Sequence, residues 1–392
     1  MKALIVTLAL VLAACTTGSA TSVPPASVAP PTVAPDSVTP SADGPAILPI
    51  IISSEITKGP NRWLFSLTDR ANQLIAAPDV PVHLEFFDVD AADDTVAFEA
   101  DARFLWAIEG ERGLYAADVE FPKAGRWGTR FTATLPDGTT QAVRADYDVT
   151  ESGRTPAIGA PAPSVDTPTL ADVGDDPAKV STDQDPERRF YETSVADALA
   201  AGKPFVLVFA TPAFCQTAVC GPTLEVVKSV AADYPTVTFI NVEPYKMAYT
   251  DGRLQPELSA DGQLQTAPWT DAFGLPSEPW VFVVDSDGKV AAKFETILAS
   301  DEMKAAIDPV VPTAATGIVI DVDQPSLTDV RGFTLRTSAG AEVSFSIGDL
   351  QLTSGAFPAN HLREHMATSS PVRVEFEATG DERVATRLSD AE

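Results

Sequence analysis

The segment that most constrains the fold is a buried strand followed by a cysteine turn and a helix, all within residues 203–227. Residues 205–210 form an unbroken apolar run, which is short enough to be a strand buried on both faces. Cys215 and Cys220 follow in a turn. A helical pattern comes next, with apolar side chains on one face at Leu224, Val227, Val230 and Ala231. Because a helix N-terminus favours thiolate over thiol, the cysteines occupy a place where a thiol becomes reactive.

This strand and its first cysteine resemble the thioredoxin superfamily. In that family a buried strand leads to an aromatic residue and a nucleophilic cysteine at the start of a helix, and Phe214 and Cys215 match the pair. A second match lies in residues 274–290, where Pro279 corresponds to the cis-proline that opens a strand and faces the cysteine. The resemblance spans about residues 186–311 and implies a thioredoxin-like α/β domain.

The resemblance also implies a catalytic site. In such a site Cys215 would attack a substrate disulfide, Cys220 would resolve the mixed disulfide that results, and Pro279 would shape the substrate groove. We expect no organic cofactor, because disulfide exchange needs only the two thiols. The catalytic residues predicted from the sequence are therefore Cys215, Cys220 and Pro279.

The spacing of the cysteines is Cys-x-x-x-x-Cys rather than the Cys-x-x-Cys of thioredoxin itself. Five residues along an ideal helix separate two α-carbons by about 8 to 9 Å, beyond the reach of a disulfide. Pro222 leaves two arrangements open. If the helix starts after Cys220, both cysteines lie in the turn and a disulfide closes easily; if Pro222 lies inside a longer helix, closing it would unwind a turn.

The N-terminal residues predict export and a lipid anchor. Lys2 is a short positive region and residues 3–11 are an apolar stretch too short to span a bilayer. Residues 12–15, Leu-Ala-Ala-Cys, resemble a bacterial lipobox, so residues 1–14 would be removed and Cys15 would carry lipid. The alternative is an ordinary secretory signal cut elsewhere. Either way we expect the protein in the bacterial cell envelope, on the extracytoplasmic side of the membrane.

The cysteine count predicts a disulfide. The chain has 3 cysteines, and the lipid would occupy Cys15. Cys215 and Cys220 are then the remaining thiols in a compartment where disulfides persist. We expect them to be paired with each other.

Length and charge bound the function classes. With 392 residues the chain is long enough for two to three domains of ordinary size. Its formal net charge of -28 argues against nucleic acid as a partner, since phosphate recognition needs basic patches. The same charge argues against electrostatic docking on anionic lipid.

The patterns along the chain predict a multidomain fold that combines α/β and all-β parts. The order is a signal peptide (1–14), a disordered Pro/Ser/Thr tether (15–46), an immunoglobulin-like β-sandwich (47–150), a linker (151–185), the thioredoxin-like domain (186–311) and a small β-barrel-like domain (312–392). The sandwich is predicted from short alternating strands, and residues 113–132 resemble extracytoplasmic immunoglobulin-like modules of some bacterial metal-handling proteins. We expect the β domains to present partners or to position the redox domain.

Two histidines near the C-terminus leave a metal site open. His361 and His365 are four residues apart, so on a helix they share a face and could bind a metal with Met366 nearby. The simpler interpretation is a surface helix that carries two histidines, because no third ligand of the right kind is evident. His83, the remaining histidine, is left unassigned.

Two further functions compete with disulfide exchange. One is a structural disulfide in a non-enzymatic envelope binding protein. The other is a thiol peroxidase, since Thr211-Pro212 before the cysteine is similar to the bacterioferritin-comigratory peroxiredoxins, where Cys215 would form a sulfenic acid that Cys220 resolves.

Departures from these patterns rank the alternatives. Peroxiredoxins place the threonine three residues before the cysteine and an arginine beside it, whereas Thr211 is four before and Arg253 is the only arginine between 189 and 331. Copper chaperones with a thioredoxin fold use a shorter cysteine spacing and a histidine later in the domain. No histidine lies between His83 and His361, which argues against copper transfer by this domain. Glu278 precedes Pro279, so if that match holds it places a carboxylate near the sulfur. A nearby negative charge raises the pKa of a thiol and weakens it as a nucleophile, which argues against the oxidoreductase.

The sequence thus predicts an extracytoplasmic thiol–disulfide oxidoreductase anchored to the membrane through lipid on Cys15. Its expected partners are envelope proteins that contain disulfides or thiols. No nucleic acid and no metal are assigned.

Overall fold

The computed structural model covers most of the chain from residue 46 onward. The described residues are 46–91, 95–235, 237–311, 313–326, 330–338, 340–347, 350, 357–379 and 382–391. The predicted signal peptide, Cys15 and nearly all of the predicted tether lie outside them. Across this described part, no helix is long and apolar enough to cross a membrane.

The N-terminal part folds into a seven-stranded antiparallel sheet of order β1-β2-β5-β4-β3-β6-β7. Alternating apolar side chains and short turns form these strands. The strands are β1 (Ile47–Ile51), β2 (Gly59–Asp69), β3 (Val82–Asp88), β4 (Val96–Ile108), β5 (Arg112–Phe121), β6 (Gly125–Thr134) and β7 (Thr140–Val149).

This sheet folds over on itself around an aromatic core. The long strand β4 serves both halves, since its first part pairs with β3 and its second part with β5. Trp63 on β2 lies 5.5 Å from the rings of Phe86 on β3 and Phe131 on β6, ring centroid to ring centroid. Because β2 is not hydrogen-bonded to either strand, these contacts place the two halves face to face.

The middle of the chain contains a four-stranded mixed sheet of order β13-β12-β8-β9. Strand β8 is parallel to β9 and antiparallel to β12. Three short 3₁₀ helices precede this region: Leu170–Val173, Pro177–Lys179 and Arg188–Tyr191. Its elements are α1 (Val195–Ala200), β8 (Phe205–Phe209), α2 (Cys220–Ala231), β9 (Thr238–Val242), β10 (Met247–Thr250), β11 (Arg253–Pro256), α3 (Pro268–Ala272), β12 (Trp280–Val284), β13 (Val290–Glu295) and α4 (Ser300–Ile307).

Strand β8 is buried on both faces, which confirms the prediction for the apolar run. Phe205, Leu207 and Phe209 point into one core, together with Trp280 and Phe282. The alternate residues, Val206 and Val208, belong to the core on the other face, where the apolar side of α2 packs. Because both faces of β8 are packed in a core, the strand fixes the position of the cysteine turn that follows it.

The C-terminal part is a five-stranded barrel with the order β14-β15-β16-β18-β17, closed by pairing of β17 with β14. The contact between β16 and β18 is parallel and the other pairs are antiparallel. Helix α5 packs Leu362 into the barrel core. The elements are β14 (Thr313–Asp323), β15 (Gly332–Thr337), β16 (Glu342–Ile347), α5 (Ala359–Thr368), β17 (Pro371–Thr379) and β18 (Glu382–Asp390).

The predicted fold class, a thioredoxin-like α/β domain between an immunoglobulin-like sandwich and a small barrel-like domain, is wrong. The structure is mostly β, with 44% strand and 16% helix in several sheets, and is not a thioredoxin-like α/β arrangement. Helices α1, α3 and α4 have only 6, 5 and 8 residues. Residues 243–267 form the hairpin β10–β11 and irregular loops, since their prolines and glycines interrupt any helical pattern.

The seven-stranded sheet of residues 47–149, whose two halves pack face to face and which we call the β-sandwich, is joined to the middle of the chain by buried charges. Arg62 on β2 donates two hydrogen bonds to Glu302 on α4, at 2.8 and 3.0 Å. The Glu302 side chain is only 7% exposed, and Arg103 contacts it as well. Burial opposes ionisation of Glu302, but the two arginines outweigh it and lower its pKa. Such a buried pair holds the elements in one arrangement and is costly to break on one side only.

Candidate functional site

The two cysteines are bonded to each other, which confirms the predicted disulfide. Cys215 lies in the loop after β8, and Cys220 is the first residue of α2. Their α-carbons are 5.9 Å apart, an ordinary span for a disulfide. The pair therefore closes a small ring at the junction of strand and helix.

The position of Pro222 decides between the two arrangements left open by the sequence. Helix α2 starts at Cys220, so Pro222 is its third residue and lies in the first turn. Proline is tolerated there because N–H groups in the first turn have no partner within the helix. Ala218 adopts a left-handed conformation with φ of 66°, which helps the loop to turn back toward Cys215. Cys215 thus lies in the turn and Cys220 at the first position of α2, so the disulfide closes without unwinding the helix.

The two cysteines differ in burial. Cys220 is fully buried and packs in the core with Leu224 and Val227. Cys215 is only partly buried, and the neighbouring Gln216 is exposed. Cys215 is therefore the more accessible residue of the pair.

A backbone N–H and a hydroxyl group lie beside the sulfur of Cys215. The backbone N–H of Cys220, at the start of α2, donates to Cys215 Sγ at 3.2 Å. The hydroxyl of Thr217 lies 3.3 Å from the same sulfur and also donates to the carbonyl oxygen of Glu278 at 3.0 Å. An N–H from the first turn of a helix stabilises a thiolate, so this contact favours Cys215 as the nucleophile after reduction.

A buried carboxylate opposes that effect. Glu278 is 6% exposed, and one of its oxygens lies within 4.8 Å of both sulfurs. Its oxygens accept hydrogen bonds from the Gln216 N–H and the Tyr245 hydroxyl, both at 2.8 Å. Gln216 also donates to Tyr245 through its side-chain amide, again at 2.8 Å. This network holds a negative charge beside the disulfide, where it disfavours a thiolate.

Tyr245 donates in this network. Burial and the adjacent Glu278 carboxylate both raise the pKa of Tyr245. The hydroxyl therefore keeps its proton and remains a donor to Glu278 at neutral pH. Neither Tyr245 nor Gln216 was singled out by the sequence, because contacts across 29 to 62 residues leave no local pattern.

Pro279 lies next to this network. The peptide bond between Glu278 and Pro279 is cis, and β12 begins at the following residue. The carbonyl oxygen of that peptide bond is the one that accepts from Thr217. The structure thus places Cys215, Cys220 and the Glu278–Pro279 peptide close together, with Thr217 in contact with both the sulfur and the peptide.

The β-sandwich covers one side of the cysteine turn. Val219, which precedes Cys220, is buried in an apolar cluster formed mainly by the sandwich. The other members of the cluster are Leu64, Leu105, Ala107, Leu114, Ala116 and Ile297. This contact keeps the turn in place and restricts the approach to the disulfide to its remaining sides.

A second buried carboxylate lies at the same edge of the sheet. Strands β8 and β9 are parallel, and Glu243 directly follows β9 where the cysteine loop follows β8. Burial raises the pKa of Glu243 to about 7, although the Thr182 N–H donates to it at 2.6 Å. Its other oxygen is buried without a hydrogen-bond partner in the described part of the chain. Sequence reasoning missed Glu243, which reads as an ordinary loop residue.

The sulfurs and the Glu278 oxygen have the mutual spacing of metal ligands, within 4.8 Å. In the disulfide, however, the sulfurs are bonded to each other, and only thiolates bind metals well. Metal binding at this position would therefore require that the disulfide first be reduced.

No protein-family model matches the chain, and a search of curated proteins gives no match.

Proposed function

We propose that the chain is an extracytoplasmic thiol–disulfide oxidoreductase whose reactive groups are Cys215 and Cys220. One observation carries the proposal: the disulfide is asymmetric, because Cys215 is only partly buried and its sulfur accepts a helix N-terminal N–H, whereas Cys220 is fully buried. The asymmetry supports a division into an attacking and a resolving cysteine.

The oxidised chain would accept two electrons from a substrate dithiol. A substrate thiolate attacks Cys215 Sγ, a new S–S bond forms, and the bond between Cys215 and Cys220 breaks. Cys220 leaves as a thiolate and takes up a proton. The second substrate thiolate then attacks the substrate sulfur of the mixed disulfide, which releases Cys215 as a thiolate and completes the substrate disulfide.

The reverse sequence reduces a substrate disulfide with the reduced pair. In both directions the Cys215 thiolate is the group to be stabilised, and the Cys220 N–H at 3.2 Å is placed to do so. The Thr217 hydroxyl at 3.3 Å is a second donor when it turns from the carbonyl of Glu278 to the sulfur. Pro279 and the neighbouring peptide would line the path of the substrate chain.

The proposed location and partners follow from the sequence patterns. The lipobox at residues 12–15 would anchor the protein through Cys15 on the outer face of a bacterial membrane. Its substrates would be envelope proteins with accessible thiols or disulfides. In that compartment a disulfide can persist between catalytic cycles.

The test traps the mixed disulfide. The full chain carrying Cys15→Ser and Cys220→Ser is mixed with a peptide that contains one disulfide, and adducts are measured by mass spectrometry. We expect a peptide adduct on Cys215 that dithiothreitol releases. The matched control with Cys215→Ser instead leaves the buried sulfur of Cys220 and should form at least about 10-fold less adduct. Equal adducts from both variants, or none from either, would refute the assignment of Cys215 as the attacking cysteine.

A non-enzymatic binding protein with a structural disulfide is the second candidate, and the buried charge of Glu278 favours it. A carboxylate within 4.8 Å of both sulfurs weakens either thiol as a nucleophile. The size of the ring favours the first candidate, since a sequence separation of 5 closes a small loop. Such a loop contributes about 2 kcal/mol by the chain-entropy estimate, which makes it a weak staple.

A further inference from the structure

Two histidines and a carboxylate converge on the surface of the C-terminal barrel. His361 and His365 lie on α5, and Asp390 is the last residue of β18. The two Nε2 atoms are 3.1 Å apart, and Asp390 Oδ1 lies 3.1 Å from His361 Nε2 and 2.8 Å from His365 Nε2. We call these three residues the His–Asp cluster. The third ligand that the sequence did not reveal is therefore supplied by a strand 25 residues further along the chain.

The outer nitrogens of both imidazoles face acceptors. His361 Nδ1 lies 3.0 Å from Glu364 Oε2, and His365 Nδ1 lies 3.1 Å from the carbonyl oxygen of Ser370. Carbonyl and carboxylate oxygens only accept, so each Nδ1 carries the proton. In the neutral imidazoles the Nε2 atoms are then unprotonated, and their lone pairs point into the cluster. Hydrogen bonds of this kind to the outer nitrogen are a regular feature of metal-binding histidines.

Three electron-pair donors therefore meet at one point. Two Nε2 atoms and a carboxylate oxygen lie 2.8 to 3.1 Å from one another, so either a proton carried by one imidazole or a metal ion has to lie between them. Zinc binds nitrogen and oxygen at about 2.0 to 2.2 Å, which separates tetrahedral donors by about 3.3 Å. The observed distances need to lengthen by only a few tenths of an ångström to reach that value.

The surroundings hold the ligands in place. The Phe357 ring stacks on His365 with centroids 5.5 Å apart and meets His361 edge-on at 4.7 Å. His365 is buried, and Leu362 anchors the same helix in the barrel core. Asp390 is largely exposed, with 67% of its side-chain surface accessible. One side of the cluster is thus rigid and the other is open to ions from solvent.

We propose that the His–Asp cluster binds a divalent late first-row transition metal, for which Zn²⁺ is the probe. Two imidazoles and one carboxylate are the ligands that zinc and its neighbours accept, and they differ from the all-oxygen sets of Mg²⁺ and Ca²⁺. Three protein ligands leave a fourth position for water or another ligand. The site is separate from the cysteine turn, and the proposal does not depend on the proposed function.

The test measures Zn²⁺ binding by isothermal titration calorimetry on the full chain with Cys15→Ser, kept oxidised so that no thiol competes. We expect one site per chain. His361→Gln and Asp390→Asn each remove one ligand and should weaken binding at least about 10-fold, while Glu364→Gln removes only the charge of an outer acceptor and should weaken it less.

The matched control is His83→Gln. His83 is also a histidine beside carboxylates, with Asp101 at 2.7 Å and Glu99 at 3.8 Å, but these lie on the exposed face of the β-sandwich without a second imidazole. Its substitution should leave the affinity unchanged. A second readout is the melting temperature, which Zn²⁺ should raise in the parent protein and in His83→Gln but not in Asp390→Asn.

Asp390→Asn decides the matter if His361→Gln is unstable, because Asp390 is exposed and its loss leaves the core intact. Binding that survives Asp390→Asn at full strength would overturn the proposal. So would equal losses in His83→Gln and His361→Gln, or no binding to the parent protein at 100 µM Zn²⁺. Co²⁺ in place of Zn²⁺ should give the visible absorption of a tetrahedral complex in the parent protein and in His83→Gln alone.

Discussion

Neutralising Glu278 should make Cys215 a stronger nucleophile. Glu278→Gln keeps the size of the side chain, and an amide oxygen can still accept from the Gln216 N–H. What is lost is a negative charge within 4.8 Å of the sulfurs. The thiolate then becomes easier to form, so the pKa of the reduced Cys215 falls and more of it is ionised at neutral pH.

The size of the effect follows from Coulomb's law. At 4.8 Å two unit charges interact by about 3.5 kcal/mol with an effective dielectric constant near 20, and by just under about 1 kcal/mol in bulk water. These limits correspond to a fall in pKa of about 2.5 and about 0.6, respectively. Because Glu278 is buried and Cys215 only partly so, we expect a value between them, of about 1 to 2.

The assay is the rate of alkylation by iodoacetamide as a function of pH. It uses reduced chain with Cys15→Ser and Cys220→Ser, so that Cys215 is the thiol that reacts. The matched control is Glu225→Gln, which removes the same charge from α2 where the side chain is 66% exposed and screened by solvent. A pKa of Cys215 that is unchanged or higher in Glu278→Gln, or an equal fall in Glu225→Gln, would refute the reasoning.

Three further predictions concern stability. Reducing the disulfide should lower the free energy of unfolding by about 2 kcal/mol, as urea denaturation of oxidised and reduced chain would show; a loss above about 5 kcal/mol would contradict the small-loop estimate. Glu302→Gln leaves buried arginine unpaired and should cost about 3 kcal/mol, whereas Lys304→Gln breaks an exposed pair on the same helix and should cost under about 1 kcal/mol; equal costs would refute the buried-pair account. Burial raises the pKa of Glu243 from 4.5 to about 7, so the folded chain holds this proton more tightly than the unfolded chain does. The resulting contribution to the free energy of unfolding is present below about pH 4.5 and is lost as the pH rises through about 7. Glu243→Gln should therefore stabilise the chain by about 3 kcal/mol more at pH 8 than at pH 4, and an equal effect at both pH values would contradict the assignment.

Local patterns in the sequence predicted local structure well. The apolar run became the buried strand β8, and the helical pattern after the cysteines became α2. The pairing of Cys215 with Cys220 needed only a count of the thiols and the expected compartment. Such features depend on neighbours in the chain, which a single sequence displays directly.

The fold class could not be predicted in the same way. Two motifs in the right order suggested a thioredoxin-like α/β domain, but motifs of this kind describe a turn and a strand end and leave the layers undetermined. The structure is instead mostly β, because the long connections form hairpins and loops rather than helices.

Some residues of the cysteine site and of the His–Asp cluster could not be predicted from the sequence for a related reason. Tyr245 reaches Glu278 across 33 residues, and Asp390 reaches His365 across 25. Strand pairing and helix docking bring these groups together, and neither leaves a spacing that the sequence could show. Cys215 and His361 were revealed by partners four or five residues away, whereas Glu278 and Pro279 were found only through the resemblance of residues 274–290.

The reduction potential of the disulfide tests the central proposal most directly. The full chain with Cys15→Ser is equilibrated in glutathione and dithiothreitol buffers of known potential, and free thiols are counted by mass-tagging. A working exchange pair should have a potential above about -300 mV, within the range of known exchange proteins. A potential well below that value would identify a structural staple and contradict the proposed oxidoreductase.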